Sequence, residues 1–172
     1  MGAAVKVAYA DPPYPGQAKR WYVAHEDYAG EVDHGDLLQR LAGFDAWALS
    51  TSAPALRDVL PLCPENARVG VWYRSNSEHP GNRGTWWWSW EPVIFVSARP
   101  PMVATRDFCS HHKEQGFLGS TIPGQKPKAV CEWIFRLLGL EPDDELHDLF
   151  PGSGAVTRAW ESWRNQLTIG VA

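Results

Sequence analysis

Runs of strand period alternate with stripes of helical period along this chain, and few folds accommodate that order. Val5, Val7 and Tyr9 alternate with Lys6 and Ala8, then stop at Asp11-Pro12-Pro13-Tyr14-Pro15-Gly16, which neither a ladder nor a helix continues through. Leu37, Leu38, Leu41 and Phe44 recur at helical spacing behind Asp33-His34-Gly35-Asp36. Ala46 to Leu49 reads as a short strand ending in Ser50-Thr51-Ser52, and Leu56, Val59, Leu60 and Cys63 mark one face of a helix entered through Pro54. Val69 to Tyr73 and Val93 to Ser97 read as strands separated by a polar, tryptophan-rich segment containing Pro80-Gly81-Asn82. Val130, Trp133, Ile134, Leu137 and Leu138 form the cleanest helical stripe, closed by Gly139 and followed by Pro142. Leu146 to Leu149 then predicts a strand, Ala155 to Trp163 a helix, and Thr168 to Val171 a final short strand. The alternation predicts an α/β domain with a mostly parallel sheet and helices on both faces, and no internal repeat is present.

A length of 172 residues gives room for one domain, so separate catalytic and recognition domains do not fit. A hydrophobic share of 44% and ten tryptophans supply the apolar surface of a packed core and exclude a disordered linker. Sixteen Lys and Arg against twenty Asp and Glu leave a net charge of −4, so any contact with a polyanion must be local. Residues 99–128, which follow neither period, hold Arg99, Arg106, Lys113, Lys126 and Lys128 against Asp107 and Glu114, and this balance of +3 predicts a polyanion-facing loop. Apolar runs such as Val93 to Val96 are far shorter than the roughly 20 residues of a membrane span. The N-terminus lacks the regions of a secretory signal, and Cys63, Cys109 and Cys131 are odd in number and widely spaced, which argues against a disulfide framework. These features predict a soluble intracellular, cytoplasmic protein.

Two segments carry chemistry. His147-Asp148-Leu149-Phe150-Pro151-Gly152-Ser153-Gly154-Ala155 lies between a strand and a helix, where glycines let the backbone approach a ligand and the helix N-terminus favours an anionic group. Such a turn suits a nucleotide-like cofactor; alone, it reads equally as a tight turn that needs small residues. Asp11-Pro12-Pro13-Tyr14 at a strand end, alone, reads equally as a proline-stiffened turn with a capping aspartate. Cys109-Ser110-His111-His112 with Cys131 lacks the spacing of a standard zinc finger, and no metal is expected. Strand alternation puts Trp86, Trp88 and Trp90 on one face and Trp87 on the other, with most of these rings expected in the core.

Taken together, the two segments resemble the S-adenosylmethionine-dependent amino-methyltransferases that modify adenine N6. Those enzymes carry an Asp-Pro-Pro-Tyr or Asp-Pro-Pro-Trp catalytic motif and an Asp-x-Phe-x-Gly-x-Gly cofactor motif, which Asp148-Leu149-Phe150-Pro151-Gly152-Ser153-Gly154 fits at every fixed position. The order, catalytic motif first, is similar to the permuted beta arrangement of DNA adenine methyltransferases and to the messenger-RNA adenosine methyltransferase family. Trp72-Tyr73-Arg74, the run Gly84-Thr85-Trp86-Trp87-Trp88-Ser89-Trp90-Glu91-Pro92 and Lys126-Pro127 resemble segments at corresponding places, so the resemblance spans roughly residues 5 to 171.

The resemblance implies a single Rossmann-like methyltransferase domain over residues 1–172, permuted and lacking an edge strand. It implies methyl transfer to adenine N6 in DNA, with the base flipped or the strand single. The alternatives are an RNA enzyme of the same chemistry and a degenerate subunit that only binds nucleic acid. Asp11 and the Pro12 carbonyl accept the two N6 protons, Pro13 stiffens the turn and Tyr14 stacks on the base. Asp11, Lys126, Asp148, Phe150, Gly152, Ser153 and Gly154 are implied to hold the cofactor, and Arg74, His111, His112 and Lys113 to face the substrate. Family members usually follow the cofactor helix with a strand ending in an acid that holds the ribose. Here Leu167 to Val171 stands for that strand and Ala172 stands where the acid is expected. No segment resembles a recognition domain, so specificity is low or comes from a partner subunit or a second copy.

Overall fold

The structure, a computed structural model, describes residues 3–13, 32–74, 88–111 and 126–170. Strands β1 (Lys6–Ala10) and β2 (Ala46–Ser50) are apolar almost throughout, as strands covered on both faces must be. Between them, helix α1 (His34–Leu41) starts at Asp33, whose carboxylate accepts from the Asp36 N–H at 3.0 Å. Helix α2 (Leu56–Val59) is one turn long and tightens into a 3-10 turn at Leu60–Leu62, shorter than the stripe to Cys63 predicts, because Pro61 supplies no N–H. Strands β3 (Arg68–Tyr73), β4 (Trp90–Val96) and β5 (Phe108–Ser110), helix α3 (Lys128–Leu138), strand β6 (Glu145–Asp148) and helix α4 (Ala155–Gly170) complete the order. β5 is only three residues long, too short to show a period in sequence.

Among the described residues the sheet has six strands in the order β5-β3-β4-β2-β1-β6. β1 runs parallel to β2 and β6, β3 runs parallel to β5, and β4 is antiparallel to both of its neighbours. Five strands therefore end at one edge of the sheet, and the reversed β4 begins there. On one face Val7, Tyr9, Ala46, Ala48, Trp72, Val93 and Phe95 pack against α3 and α4. On the other, Ala8, Ala10, Trp47, Leu49 and Ile94 pack against α1 and α2. The strict alternation of these positions is the period of two seen in the sequence. Phe135 meets Trp160 at 5.5 Å and Trp163 at 5.6 Å between ring centroids, joining α3 to α4.

Two glycines are fixed by space. A Cβ on Gly139, at φ 69° in the C-cap of α3, would lie 2.4 Å from the Arg99 carbonyl oxygen. A Cβ on Gly70 would lie 3.0 Å from two ring carbons of Trp133, so the missing side chain lets α3 settle on β3. At the edge opposite the strand ends, buried Asp144 accepts from the N–H groups of Val5 at 3.0 Å and Glu141 at 2.7 Å, and from Arg99 at 2.9 and 3.0 Å.

The expected strand at Thr168–Val171 is not formed. α4 runs through this segment to Gly170, with the Thr168 hydroxyl donating to the Arg164 carbonyl one turn back at 2.9 Å. Val156, Ala159, Trp160, Trp163 and Leu167 continue one helical stripe onto the core while Ile169 stays 76% exposed. Continuing the helix satisfies each backbone group locally, which a lone apolar triplet does not outweigh. Position 172, where a ribose-binding acid was sought, lies outside the described residues.

Candidate active site

The shared strand edge collects the polar residues. Asp11 follows β1, Ser50 closes β2, Arg74 follows β3, Glu91 is the second residue of β4, Asp148 closes β6, and Lys126 stands just before α3. α1, which follows β1, covers one face and α4, which follows β6, covers the other, so the ends of these two neighbouring strands lie where the covering changes face, the place where open α/β sheets bind ligands. Pro12 is buried beneath it and Pro13 half-buried.

Charges alternate across the edge. The Lys126 ammonium lies 2.9 Å from Asp11 Oδ2 and 3.4 Å from Glu91 Oε2, and Arg74 Nη1 lies 3.1 Å from Glu91 Oε1. Arg74 Nη2 also donates to the Trp88 carbonyl at 2.9 Å. Lys126 sits 5.4 Å from the centroid of the Trp72 ring, a cation–π contact under which Trp72 donates to the His111 carbonyl at 3.1 Å. With the side chains of Lys126, Glu91 and Asp11 only 6%, 13% and 21% exposed, water screens these pairs weakly.

Burial pushes the Asp11 carboxyl above the usual range; Lys126 opposes the rise and Glu91 adds to it. Asp148 is also raised, first by burial and further by the Asp11 charge, against the hydrogen bond from the Phe150 N–H at 3.3 Å. Asp148 Oδ2 is buried with no hydrogen-bond partner among the described residues. The buried Tyr9 hydroxyl meets Ser50 Oγ at 2.8 Å, and burial followed by the Asp11 charge keeps it protonated far above its ordinary range. Three carboxylates, Asp11, Glu91 and Asp148, thus face two cations, Lys126 and Arg74, and the edge carries an excess of one negative charge among these groups.

The loop after β6 is held open by its glycines. Gly152 and Gly154 take φ 44° and 70°, the Gly154 N–H donates to the Pro151 carbonyl at 2.6 Å, and Arg158 caps the Ser153 carbonyl at 2.9 Å. A Cβ on Gly154 would stand 3.0 Å from the Arg158 guanidinium, in a backbone region that other residues rarely adopt. The Leu149 N–H donates to the Tyr9 carbonyl at 2.9 Å, pinning the start of the loop to β1. Phe150 packs against the cluster under α1 and α2.

Several sequence expectations find their place here. Asp11, Pro12, Pro13, Lys126, Asp148, Phe150, Gly152, Ser153 and Gly154 all come to this edge, whereas Tyr14, His112 and Lys113 lie outside the described residues. Arg74 is engaged by Glu91 and Trp88 within the protein. His111 gives its backbone to Trp72 and Tyr73. Of the basic residues in 99–128, Arg99 pairs with Asp144 at the far edge, Lys126 with Asp11, and Lys128 with Glu132 at 3.7 Å. Cys131 is buried, its thiol pushed up to about 12 by burial, and no three His, Cys, Asp or Glu side chains among the described residues group as metal ligands. Trp88 is 49% exposed rather than in the core, while Trp86 and Trp87 lie outside the described residues. The sequence reading assigned no role to Glu91, Tyr9, Ser50 or Trp72. Glu91 had a signal, an acid one residue from Pro92 at the start of a strand that is otherwise apolar.

No family model matches the sequence, and no curated protein does. Solved structures do. A complex of M1.HpyAVI with SAM matches with a TM-score of 0.64 and 15% identity, covering 94% of this chain and 79% of that one. The chain has the fold of M1.HpyAVI. A second structure of M1.HpyAVI matches with a TM-score of 0.63 and 17% identity over 94% of this chain and 78% of that one. At such identity the likeness is one of backbone architecture. No helix among the described residues is long and apolar enough to cross a membrane.

Proposed function

We propose that this chain is an S-adenosylmethionine-dependent methyltransferase acting on the N6 amine of adenine in DNA. The observation that carries the reading is the meeting of Asp11-Pro12-Pro13 and Asp148-Leu149-Phe150-Pro151-Gly152-Ser153-Gly154 at the ends of two neighbouring parallel strands. M1.HpyAVI, whose fold the chain shares, has been solved as a complex with SAM. The residues fit that cofactor on their own terms. It carries two positive centres, a sulfonium and an α-ammonium, and the edge here presents the carboxylates of Asp11, Glu91 and Asp148. When bound, S-adenosylmethionine supplies an electrophilic methyl group. Asp148 and the open backbone of Gly152, Ser153 and Gly154 would hold it against α4, with Phe150 as an apolar wall.

The amine acceptor is weakly nucleophilic because its lone pair is delocalised into the purine ring. Asp11 and the Pro12 carbonyl, accepting hydrogen bonds from its two N–H groups, favour a tetrahedral nitrogen, while Pro13 stiffens the turn that holds the two acceptors. Tyr14 is assigned the face of the base, with stacking worth about 1–3 kcal/mol. Lys126 opposes the upward shift of Asp11, and Glu91 pairs with Lys126; both are positioning residues. The whole chain serves as one catalytic domain, with residues 99–128 toward the nucleic acid and target choice left to a second copy or a partner subunit.

Transfer of labelled methyl from S-adenosylmethionine to matched single-stranded DNA, duplex DNA and RNA tests the reading. Label on N6-methyladenine in DNA, lost in Asp11→Ala with cofactor binding retained, is the expected result. Label in RNA alone would move the substrate to RNA. Calorimetry without any cofactor binding would refute the reading.

A further inference from the structure

Beside the strand edge, the described residues include an exposed group of aromatic side chains. Side chains on β3 alternate, so Gly70 and Trp72 face α3 while Val69, Val71 and Tyr73 face the side of α1 and α2. Register extends that second face: Tyr73 stands opposite Trp90 on β4, and Val71 opposite Phe108 on β5. The helices cover Val69 and Ile94 but not the strand ends, where Tyr73 is 38% and Phe108 50% exposed. The Tyr73 and Phe108 rings stack on one another, their planes 20° apart and their centroids 6.3 Å apart. Trp88, 49% exposed, stands edge-on to Trp90 at 6.3 Å.

We propose that Tyr73, Phe108, Trp88 and Trp90 form a stacking platform for unpaired nucleobases flanking the target base of a single-stranded segment. The inference rests on the methyltransferase reading and specifies its substrate. Aromatic faces, rather than aliphatic side chains, make up the exposed surface, and every base offers a π-face to them regardless of sequence. The surface adjoins the strand edge that carries the site: Tyr73 precedes Arg74, whose guanidinium pairs with Glu91. At about 4.8 Å per strand, β3 lies roughly 14 Å and β5 roughly 19 Å from β1, so the rings sit a few nucleotides from a base held at Asp11. Exposed Arg106, without an ion pair among the described residues, precedes β5 and suits the phosphates of such a strand. A duplex keeps its bases stacked on one another and offers none to this surface, so specificity here is for strandedness rather than sequence.

The test is fluorescence anisotropy of the full chain with a dye-labelled single-stranded oligodeoxynucleotide, its RNA counterpart and the matching duplex. Phe108→Ala is expected to weaken single-strand binding roughly 5- to 100-fold and to leave S-adenosylmethionine affinity unchanged. Phe108→Leu, which keeps apolar area without a ring, is expected to lose nearly as much, and Phe108→Trp to retain binding. The DNA and RNA arms decide which strand is preferred. Equal binding of single strand by wild type and Phe108→Ala, or full retention by Phe108→Leu, overturns the platform. So does a sedimentation shift from dimer to monomer in Phe108→Ala with oligonucleotide binding intact, which would make the face a contact between copies. The two readings fail separately. Loss of binding in the variants with no methyl transfer by wild type keeps the platform and removes the enzyme, and methyl transfer with an unchanged KM for single strand in Phe108→Ala does the reverse.

Discussion

Replacing Lys126 with methionine removes the cation from between two largely buried carboxylates while keeping an unbranched apolar stem of similar length. Contacts of 2.9 Å to Asp11 and 3.4 Å to Glu91 each correspond to about 5 kcal/mol of Coulomb attraction at an effective dielectric near 20. Desolvation of the three groups offsets much of that, and truncating one partner of a buried pair typically costs about 3–5 kcal/mol. Because Asp11 is still 21% and Glu91 13% exposed, the lower figure applies, about 3 kcal/mol or roughly 6–12 °C in Tm for a domain of this size.

The cost must depend on pH, and the sign is fixed. Asp11 already has a folded-state pKa above its ordinary value, so its protonated form favours the fold; that contribution is complete below the ordinary value and is lost as pH rises through the folded one. Lys126 restrains the rise, and Lys126→Met therefore moves the folded value further up. The deficit of the variant is expected to be small near pH 5, where Asp11 can protonate, and largest near pH 8. Urea melts of wild type and Lys126→Met across that range give the comparison. A deficit equal at both pH values, or larger in acid, would refute the account of Lys126 as the counter-ion of this edge.

Gly70→Ala places a Cβ 3.0 Å from the Trp133 ring, which cannot retreat while its Nε1 donates to the Arg106 carbonyl at 2.8 Å; thermal melts should show a loss of about 1–3 kcal/mol. Asp144→Asn should cost about 1–3 kcal/mol at neutral pH. Burial alone would raise the Asp144 pKa, but Arg99 and two backbone N–H groups bring it below the ordinary value, so its stabilisation is present above that value and lost as pH falls through the folded one. Acid titration of wild type should therefore show a loss of stability that Asp144→Asn lacks. S-adenosylmethionine should bind more tightly as pH rises through the folded-state values of Asp11 and Asp148, releasing protons from both, because a bound cation lowers their raised values. Calorimetry in two buffers of different ionisation heat reads that proton release, and a pH-independent affinity contradicts it.

Much of the frame was readable from residue order. Val7 and Tyr9 against Ala8 and Ala10 announce a strand covered on both faces, and the Val130 to Leu138 stripe with Gly139 behind it places α3 and its end to within a turn. The segments around Asp11 and Asp148 mark the two halves of the site because turn-forming prolines and positive-φ glycines are properties of a few neighbouring residues. Thr168 to Gly170 misled for the same reason: β-branched and apolar residues suggest a strand locally, while Leu167 one turn after Trp163 had already joined the helical stripe of α4.

By itself the sequence determined most of the segments that become strands and helices and the two turns that meet at the shared strand edge, since periodicity and backbone freedom act over a few residues. Only the tertiary structure decided that Glu91, 35 positions from Lys126, completes the charge alternation at Asp11, and that Asp144, 139 positions from Val5, ties the opposite edge. Those contacts depend on β4 entering the sheet reversed between β2 and β3. Strand order and direction come from how the chain as a whole buries its two apolar faces, which no local pattern records.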